Sequence, residues 1–375
     1  NLIKEINKKI GESGVVGEEN NRVFLFTIAS SHKMRDTMHA LIQGSSGSGK
    51  THLLASIMSL IPKEDRISLT RVTESSFYNY GEYFLRHKLI GIEDYEGLEE
   101  KAELAFRELQ SKGSISSSTS VKDEYTGGNT STVKWVYGPI ASMGATTQGA
   151  IYEDNMSRCF LVAVDESEEQ TQRIIKYQNQ KAIGKIDEDG ENEAKLFIQS
   201  CVKLLKPYKV INPYADKIEL PREAHKIRRL NELFQSFIRQ LTLINQYQRK
   251  RDSQGRLITA KEDIEVAIEI MFDSIVLKVD ELDGSLRMFY EKLKDYVFKK
   301  GKEYEFGLRE IRQSFRISKT QLHRYMQDLL ELEYVFKSYV GARNTFHYKI
   351  AYWDNLAALR ARIQKDLNTQ LLKVS

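Results

Sequence analysis

The chain has 375 residues, 41% of them hydrophobic, and a formal net charge of only +4. That length allows two or three domains with buried cores, and the near-balanced charge excludes a uniformly basic nucleic-acid coat, so any electrostatic binding surface must be local. The two cysteines, Cys159 and Cys201, lie far apart without zinc-site spacing. No run of about 18 apolar residues and no signal peptide is visible, so a reduced cytoplasmic protein without a structural metal is expected.

Residues 1–21 read as a short charged helix, with Leu2, Ile3, Ile6 and Ile10 on one side, followed by a turn-rich connector. The chain opens on Asn1 rather than a methionine, and a preceding N-terminal domain is expected. Residues 22–31 (RVFLFTIASS) are apolar; their length favours a helix, and a strand stays open.

The strongest signal follows. Gly44, Ser45, Ser46, Gly47, Ser48, Gly49, Lys50 and Thr51 fit the phosphate-loop pattern G-x-x-x-x-G-K-[ST], with the apolar strand Ala40, Leu41, Ile42 before it and an amphipathic helix after it. Glycines let backbone N–H groups converge on phosphate oxygens, and the helix N-terminus adds a favourable dipole. Lys50 is placed to reach the β and γ phosphates, the Thr51 hydroxyl to ligate Mg²⁺, and His52 to complete the binding loop. The loop therefore predicts binding of a nucleoside triphosphate.

After an alternating strand at residues 66–72 and a polar aromatic segment at 75–86, residues 88–98 (KLIGIEDYEGL) form an apolar strand ending in adjacent carboxylates. Glu93 and Asp94 are the candidates for the Mg²⁺ partner and the group that activates water. Residues 99–111 carry helical spacing. Residues 114–137, rich in Ser, Thr and Val around Gly127 and Gly128, read as a β-hairpin with Lys122 and Lys134 on opposite arms near the turn. Those lysines either contact a phosphate backbone or simply solubilise the hairpin.

Residues 140–147 (IASMGATT) read as a buried strand ending in hydroxyls, of which Thr146 or Thr147 would orient water or sense the γ-phosphate. Arg158 precedes another buried strand, residues 160–164, and is either a rim salt-bridge former or a finger reaching a neighbouring subunit's nucleotide. Residues 168–203 read as helix broken at 187–192, residues 222–248 as a helix pair, and residues 261–279 as a further helix. Residues 280–286 (DELDGSL) mark the clearest domain boundary. Beyond it come three helices (288–298, 308–315 and 318–332, the last capped by Ser318), two strand-like pieces and a terminal helix. This pattern is that of a winged helix-turn-helix whose third helix exposes Lys319 and Arg324 for DNA, or which docks protein.

With these pieces in order the chain resembles the AAA+ ATPases, and among them the minichromosome maintenance helicases and similar helicases of bacterial mobile elements. Residues 157–166 (SRCFLVAVDE) resemble that family's arginine-finger segment, and residues 91–96 (GIEDYE) its C-I-D-E-F-D acidic motif with two carboxylates in reversed order. Thr146 lies where the family carries its sensor-1 Asn, and Arg239, in I-R-Q-L, matches its sensor-2 arginine. The resemblance implies an α/β P-loop AAA+ core at residues 22–205, a parallel sheet flanked by helices, with a helical lid at 206–282 and a winged-helix domain at 283–375. It implies an ATP- and Mg²⁺-dependent DNA helicase or translocase, active in replication of a mobile element or phage. The assembly would be a hexameric ring whose sites combine Lys50, Thr51, Glu93, Asp94 and Thr146 with a neighbour's Arg158, and whose Lys122 and Lys134 track single-stranded DNA. The alternatives are an initiator or loader that assembles on DNA without processive unwinding, and a remodelling ATPase that does not act on DNA.

Overall fold

A computed structural model describes residues 2–122, 129–147, 159–282, 284–340 and 345–374. Two compact units result, residues 1–279 with 365–375 and residues 280–364. Among the described residues no helix is long and apolar enough to cross a membrane.

The first unit is built on a five-stranded parallel sheet: β1 (His39–Gln43), β2 (Arg66–Leu69), β3 (Lys88–Ile92), β6 (Ile140–Thr146) and β7 (Phe160–Ala163), in the order β2-β3-β6-β1-β7. Every residue of β1 and β6 is buried. Strands covered on both faces read as continuous apolar runs, which is why both segments stand out in the sequence. Helices α1 (Leu2–Glu12), α2 (Glu19–Ser30), α3 (Lys50–Ser59) and α4 (Glu100–Lys112) belong to this unit. The open choice at residues 22–31 is thus resolved as helix. Its residues Val23 to Ser30 are buried all round, which removes the amphipathic period a sequence reading looks for.

Between α4 and β6 stand the two antiparallel strands β4 (Ser114–Lys122) and β5 (Asn129–Tyr137). The register pairs Ser117 with Lys134 and Lys122 with Asn129, so Lys134 sits midway along its arm and not near the turn. Gly127 and Gly128, expected to form that turn, lie outside the described residues. At the base of the ribbon one face is anchored: Ile115 and Val136 are buried in a core cluster with Phe77, Tyr95 and Phe106.

After β7 come α5 (Glu168–Ala182) and α6 (Glu188–Leu204). The expected break is present but lies at residues 183–187, and the acidic stretch itself starts α6, because the Asp187 carboxylate accepts the Gly190 N–H at 3.0 Å as an N-cap. Residues 222–248 contain one helix, α7 (Ile227–Ile244), where a pair was expected; Lys226 takes φ 52° and ends the irregular approach. The short strands β8 (Val210–Ile211) and β9 (Leu257–Ile258) pair in parallel, and α8 (Lys261–Val279) closes the segment.

The second unit holds α9 (Gly284–Lys300), α10 (Leu308–Phe315) and α11 (Lys319–Glu331), then the antiparallel pair β10 (Val335–Val340) and β11 (Thr345–Ile350). Tyr290, Leu293, Phe306, Ile311, Met326 and Leu329 are at its core. Ser318 caps α11 by accepting the Gln321 N–H at 3.2 Å. The division between the units falls within α12 (Leu356–Leu371), whose last residues group with the first unit.

Candidate active site

The sheet register places the chemistry. β1 pairs on one side with β6 and on the other with β7, so Gln43, the last residue before the glycine loop, lies beside both Thr146 and Ala163. Parallel strands deliver their C-terminal ends to one edge, which is where α/β sheets bind ligands.

At that edge Gly44 begins the loop, and no other residue fits there: a Cβ would sit 2.5 Å from Val164 Cγ2 and 2.6 Å from Ser48 Oγ. Gly47 and Gly49 adopt φ 80° and 95°, backbone that side chains rarely tolerate, and space is open where their Cβ atoms would be. The left-handed turn at Gly49 starts α3 at Lys50, so the first N–H groups of α3 lie at the loop. Thr51 and His52 are exposed on that first turn. Lys50 is 7% exposed and its ammonium donates to the Ser45 carbonyl at 2.5 Å. Burial lowers its pKa, and the nearby Glu166 and Glu96 carboxylates work against that shift. The Ser48 hydroxyl is buried without a hydrogen-bond partner. An orphaned donor, an open glycine cradle, a helix N-terminus and an ammonium together fit a polyphosphate, with the Thr51 hydroxyl available to Mg²⁺. Among the described residues no cluster of three or more His, Cys, Asp or Glu is arranged for a metal.

The end of β3 carries the two expected carboxylates and one that the sequence reading did not single out. β3 ends at Ile92, and the Glu93 N–H is held by the Leu69 carbonyl at 3.1 Å. Glu93 is half-buried; Asp94 is exposed, and its carboxylate lies over Gly97. A third carboxylate, Glu96, reaches the hydroxyls at the end of β6. Its Oε1 accepts from Thr146 Oγ1 at 2.9 Å, from the Thr147 N–H at 2.6 Å and from Thr147 Oγ1 at 2.7 Å. Tyr95 explains why. Its ring is 5% exposed and packs where a Cβ on Gly144 would stand 2.7 Å away, so the missing side chain at 144 admits the ring and sets Glu96 beside Thr146. Burial raises the Tyr95 pKa far above its ordinary value and keeps the phenol neutral.

Glu166, just beyond β7, is the second group that sequence reasoning left without a role. Its carboxylate accepts the Ser45 N–H at 2.5 Å and the Ser45 hydroxyl at 2.7 Å, holding the entrance of the glycine loop.

The remaining candidates are scattered. Arg158 lies outside the described residues. Arg239, on α7, pairs with Asp36, three residues before β1 and therefore at the strand end away from the loop. Lys122 closes β4, and Lys134 is exposed on β5. In the second unit Lys319 is exposed at the start of α11, and the Arg324 guanidinium lies 5.3 Å from the Tyr325 ring centre.

Residues 2–206, more than half of the 375, match the family model described as the MTBMA_p00010 P-loop domain. The chain belongs to that P-loop family. A comparison with curated proteins gave no match. The matched span contains the whole parallel sheet, the glycine loop, Glu96, Thr146 and Glu166, so the P-loop domain is the nucleotide-binding part of this protein.

Proposed function

We propose that this P-loop protein is an ATP-driven motor that moves along DNA as a ring, of the AAA+ class and similar to minichromosome maintenance helicases, serving replication of a mobile element or phage. The observation that carries the reading is the insertion of the lysine-bearing ribbon β4–β5 between the acid-bearing end of β3 and β6. β5 runs through Gly138 and Pro139 directly into β6, whose last residue, Thr146, touches Glu96. This continuity of chain is the route by which a change at the hydrolytic site would reach the ribbon. The strand order β2-β3-β6-β1-β7 supports the AAA+ assignment, since a single strand separates the glycine-loop strand from the acid-bearing one.

In this scheme Lys50 and the loop N–H groups hold the β and γ phosphates of ATP, and Thr51 with Glu93 holds Mg²⁺, which supplies charge neutralisation when bound. Glu96, oriented by Thr146 and Thr147, accepts the proton of the attacking water, with Asp94 as the neighbouring carboxylate. Arg158 of an adjacent copy stabilises transition-state charge. Arg239, held at the strand end away from its own loop, serves an adjacent copy's nucleotide in the same way, which suits a hexameric ring. Residues 206–282 act as the lid, and the unit at 280–364 as a winged helix whose Lys319 and Arg324 contact duplex phosphates.

The test is strand displacement with salt titration of DNA binding. Wild-type unwinding that vanishes in Lys50→Ala and Arg158→Ala supports the motor. DNA-stimulated hydrolysis without displacement assigns the chain to the loaders and initiators, and no DNA affinity makes it a remodeller of protein.

A further inference from the structure

Three aromatic rings form an exposed column at the base of the β4–β5 ribbon. Trp135 stacks on Tyr137 with ring centres 5.9 Å apart and planes 9° from parallel, and Tyr137 stacks on Tyr83 at 5.3 Å and 13°. The column is not a by-product of core packing: Tyr83 is 58% and Trp135 44% exposed, and Val133, two residues along the same strand, is 54% exposed. Strand alternation puts Val133, Trp135 and Tyr137 on one face and the buried Val136 on the other, so the chain presents an aromatic stripe outward while anchoring the opposite side. The Tyr137 N–H donates to the Glu82 carbonyl at 2.7 Å, which ties the loop carrying Tyr83 to the ribbon and fixes the third ring.

We propose that this column is a stacking platform for the bases of single-stranded nucleic acid. Three features select that occupant. Near-parallel, offset rings that end on the exposed Trp135 and Tyr83 can be continued by a further planar ring, and every base offers one regardless of sequence. The register sets Ser114, Ser116 and Ser118 opposite Tyr137, Trp135 and Val133, a row of hydroxyls suited to phosphate and sugar oxygens. Finally, β4 and β5 carry two lysines, Lys122 and Lys134, as point contacts for phosphate; with Asp123 and Glu124 the formal charge of residues 114–137 is zero, so the rings and hydroxyls, and not a net charge, select the occupant. The inference rests on the proposal that the ribbon tracks DNA, and adds the groups that grip the bases where lysines grip the backbone.

The experiment uses the full chain with Trp353→Phe, which leaves Trp135 as the only indole. A fluorescein-labelled oligo-dT of about twenty nucleotides is titrated while anisotropy and indole emission are followed together. The expected result is quenching of Trp135 on saturation. In the otherwise wild-type chain, Trp135→Ala and Tyr83→Ala weaken binding roughly 5- to 100-fold at an unchanged salt slope, while Trp135→Phe keeps most of the affinity. Lys122→Ala, which the register places in the same row as Ser114, Ser116 and Ser118, by contrast lowers the salt slope by about one. Unquenched emission with unaltered affinity in Trp135→Ala overturns the platform even if the protein unwinds DNA. Loss of self-association with DNA affinity intact assigns the rings to a seam between copies and also overturns it. Quenching without any strand displacement keeps the platform and removes the motor.

Discussion

Replacing Glu96 by Gln separates the two roles its position combines. The amide oxygen can accept the same three hydrogen bonds from Thr146 and Thr147 that Oε1 accepts at 2.6–2.9 Å, so the side chain stays where it is. What is lost is the negative charge and the ability to take a proton from water. A positioned general base contributes about 10²- to 10⁴-fold, so turnover should fall by that factor, about 3–5 kcal/mol of barrier. Nucleotide affinity should change by no more than a few-fold, because Lys50 and the loop amides are untouched. The assay is steady-state phosphate release beside equilibrium binding of a fluorescent ATP analogue, with Glu93→Gln and Asp94→Asn measured in parallel. Glu93→Gln should raise the Mg²⁺ requirement more than it lowers the maximal rate. Turnover by Glu96→Gln within about threefold of wild type, with Asp94→Asn inactive, would refute the reasoning: Glu96 would be a tie holding Thr146, and Asp94 the base.

The same structure makes four further statements. Gly144→Ala puts a methyl group 2.7 Å from the Tyr95 ring, so it should cost about 1–3 kcal/mol in chemical denaturation and lower turnover by displacing Glu96, with ATP affinity retained. Asp263 is fully buried against Arg249, with hydrogen bonds of 2.6 and 2.7 Å, and Asp263→Ala should destabilise the first unit by about 3–5 kcal/mol in urea titration by leaving a guanidinium unpaired. Burial beside Ser142 pushes the His39 pKa down to about 4. The folded imidazole therefore stays neutral while the unfolded one takes a proton below about pH 6.5. The resulting stability is complete above that value and is lost, by up to about 3 kcal/mol, as pH falls towards 4; His39→Gln should flatten this part of the pH–stability curve, and an unchanged slope would show that His39 is not the source. Lys50→Ala should weaken ATP binding at least about tenfold in the same fluorescent titration while leaving the fold intact, since its ammonium is the only strong positive charge built into the loop.

Which parts were legible in the sequence follows from how local their causes are. The glycine loop, its strand and its helix can be read from one stretch because each glycine answers a need of its immediate surroundings: positive φ at 47 and 49, a forbidden Cβ at 44. The ribbon was legible from alternation, and Lys122 lies next to the turn as expected, but Lys134 was misplaced because distance was counted from Gly127 and Gly128. The register runs Lys122 to Asn129 and puts Lys134 opposite Ser117. Glu96 was not legible. Residues 93–103 offer six carboxylates (Glu93, Asp94, Glu96, Glu99, Glu100 and Glu103), and nothing local distinguishes the third from its neighbours.

Its selection depends on a packing event between distant segments. Tyr95 leaves the turn after β3 and enters the notch at Gly144, so the residue before it turns outward and the residue after it meets the end of β6. A single-residue spacing rule would put the base at position 94, directly after the strand. The buried ring instead sets Glu96, two residues further along, beside Thr146, and in the proposed mechanism this makes the core tyrosine Tyr95 a positioning residue. Arg239 shows the same dependence in the opposite sense. Its motif points to nucleotide, yet its partner is Asp36 at the strand end away from the loop, a pairing no window of sequence contains. In the proposed ring, Arg239 would exchange Asp36 for a neighbour's nucleotide. Mixing Arg239→Ala subunits with Lys50→Ala subunits should then restore part of the turnover that each lacks alone. A mixture no more active than its parents would place Arg239 among the groups that hold the fold.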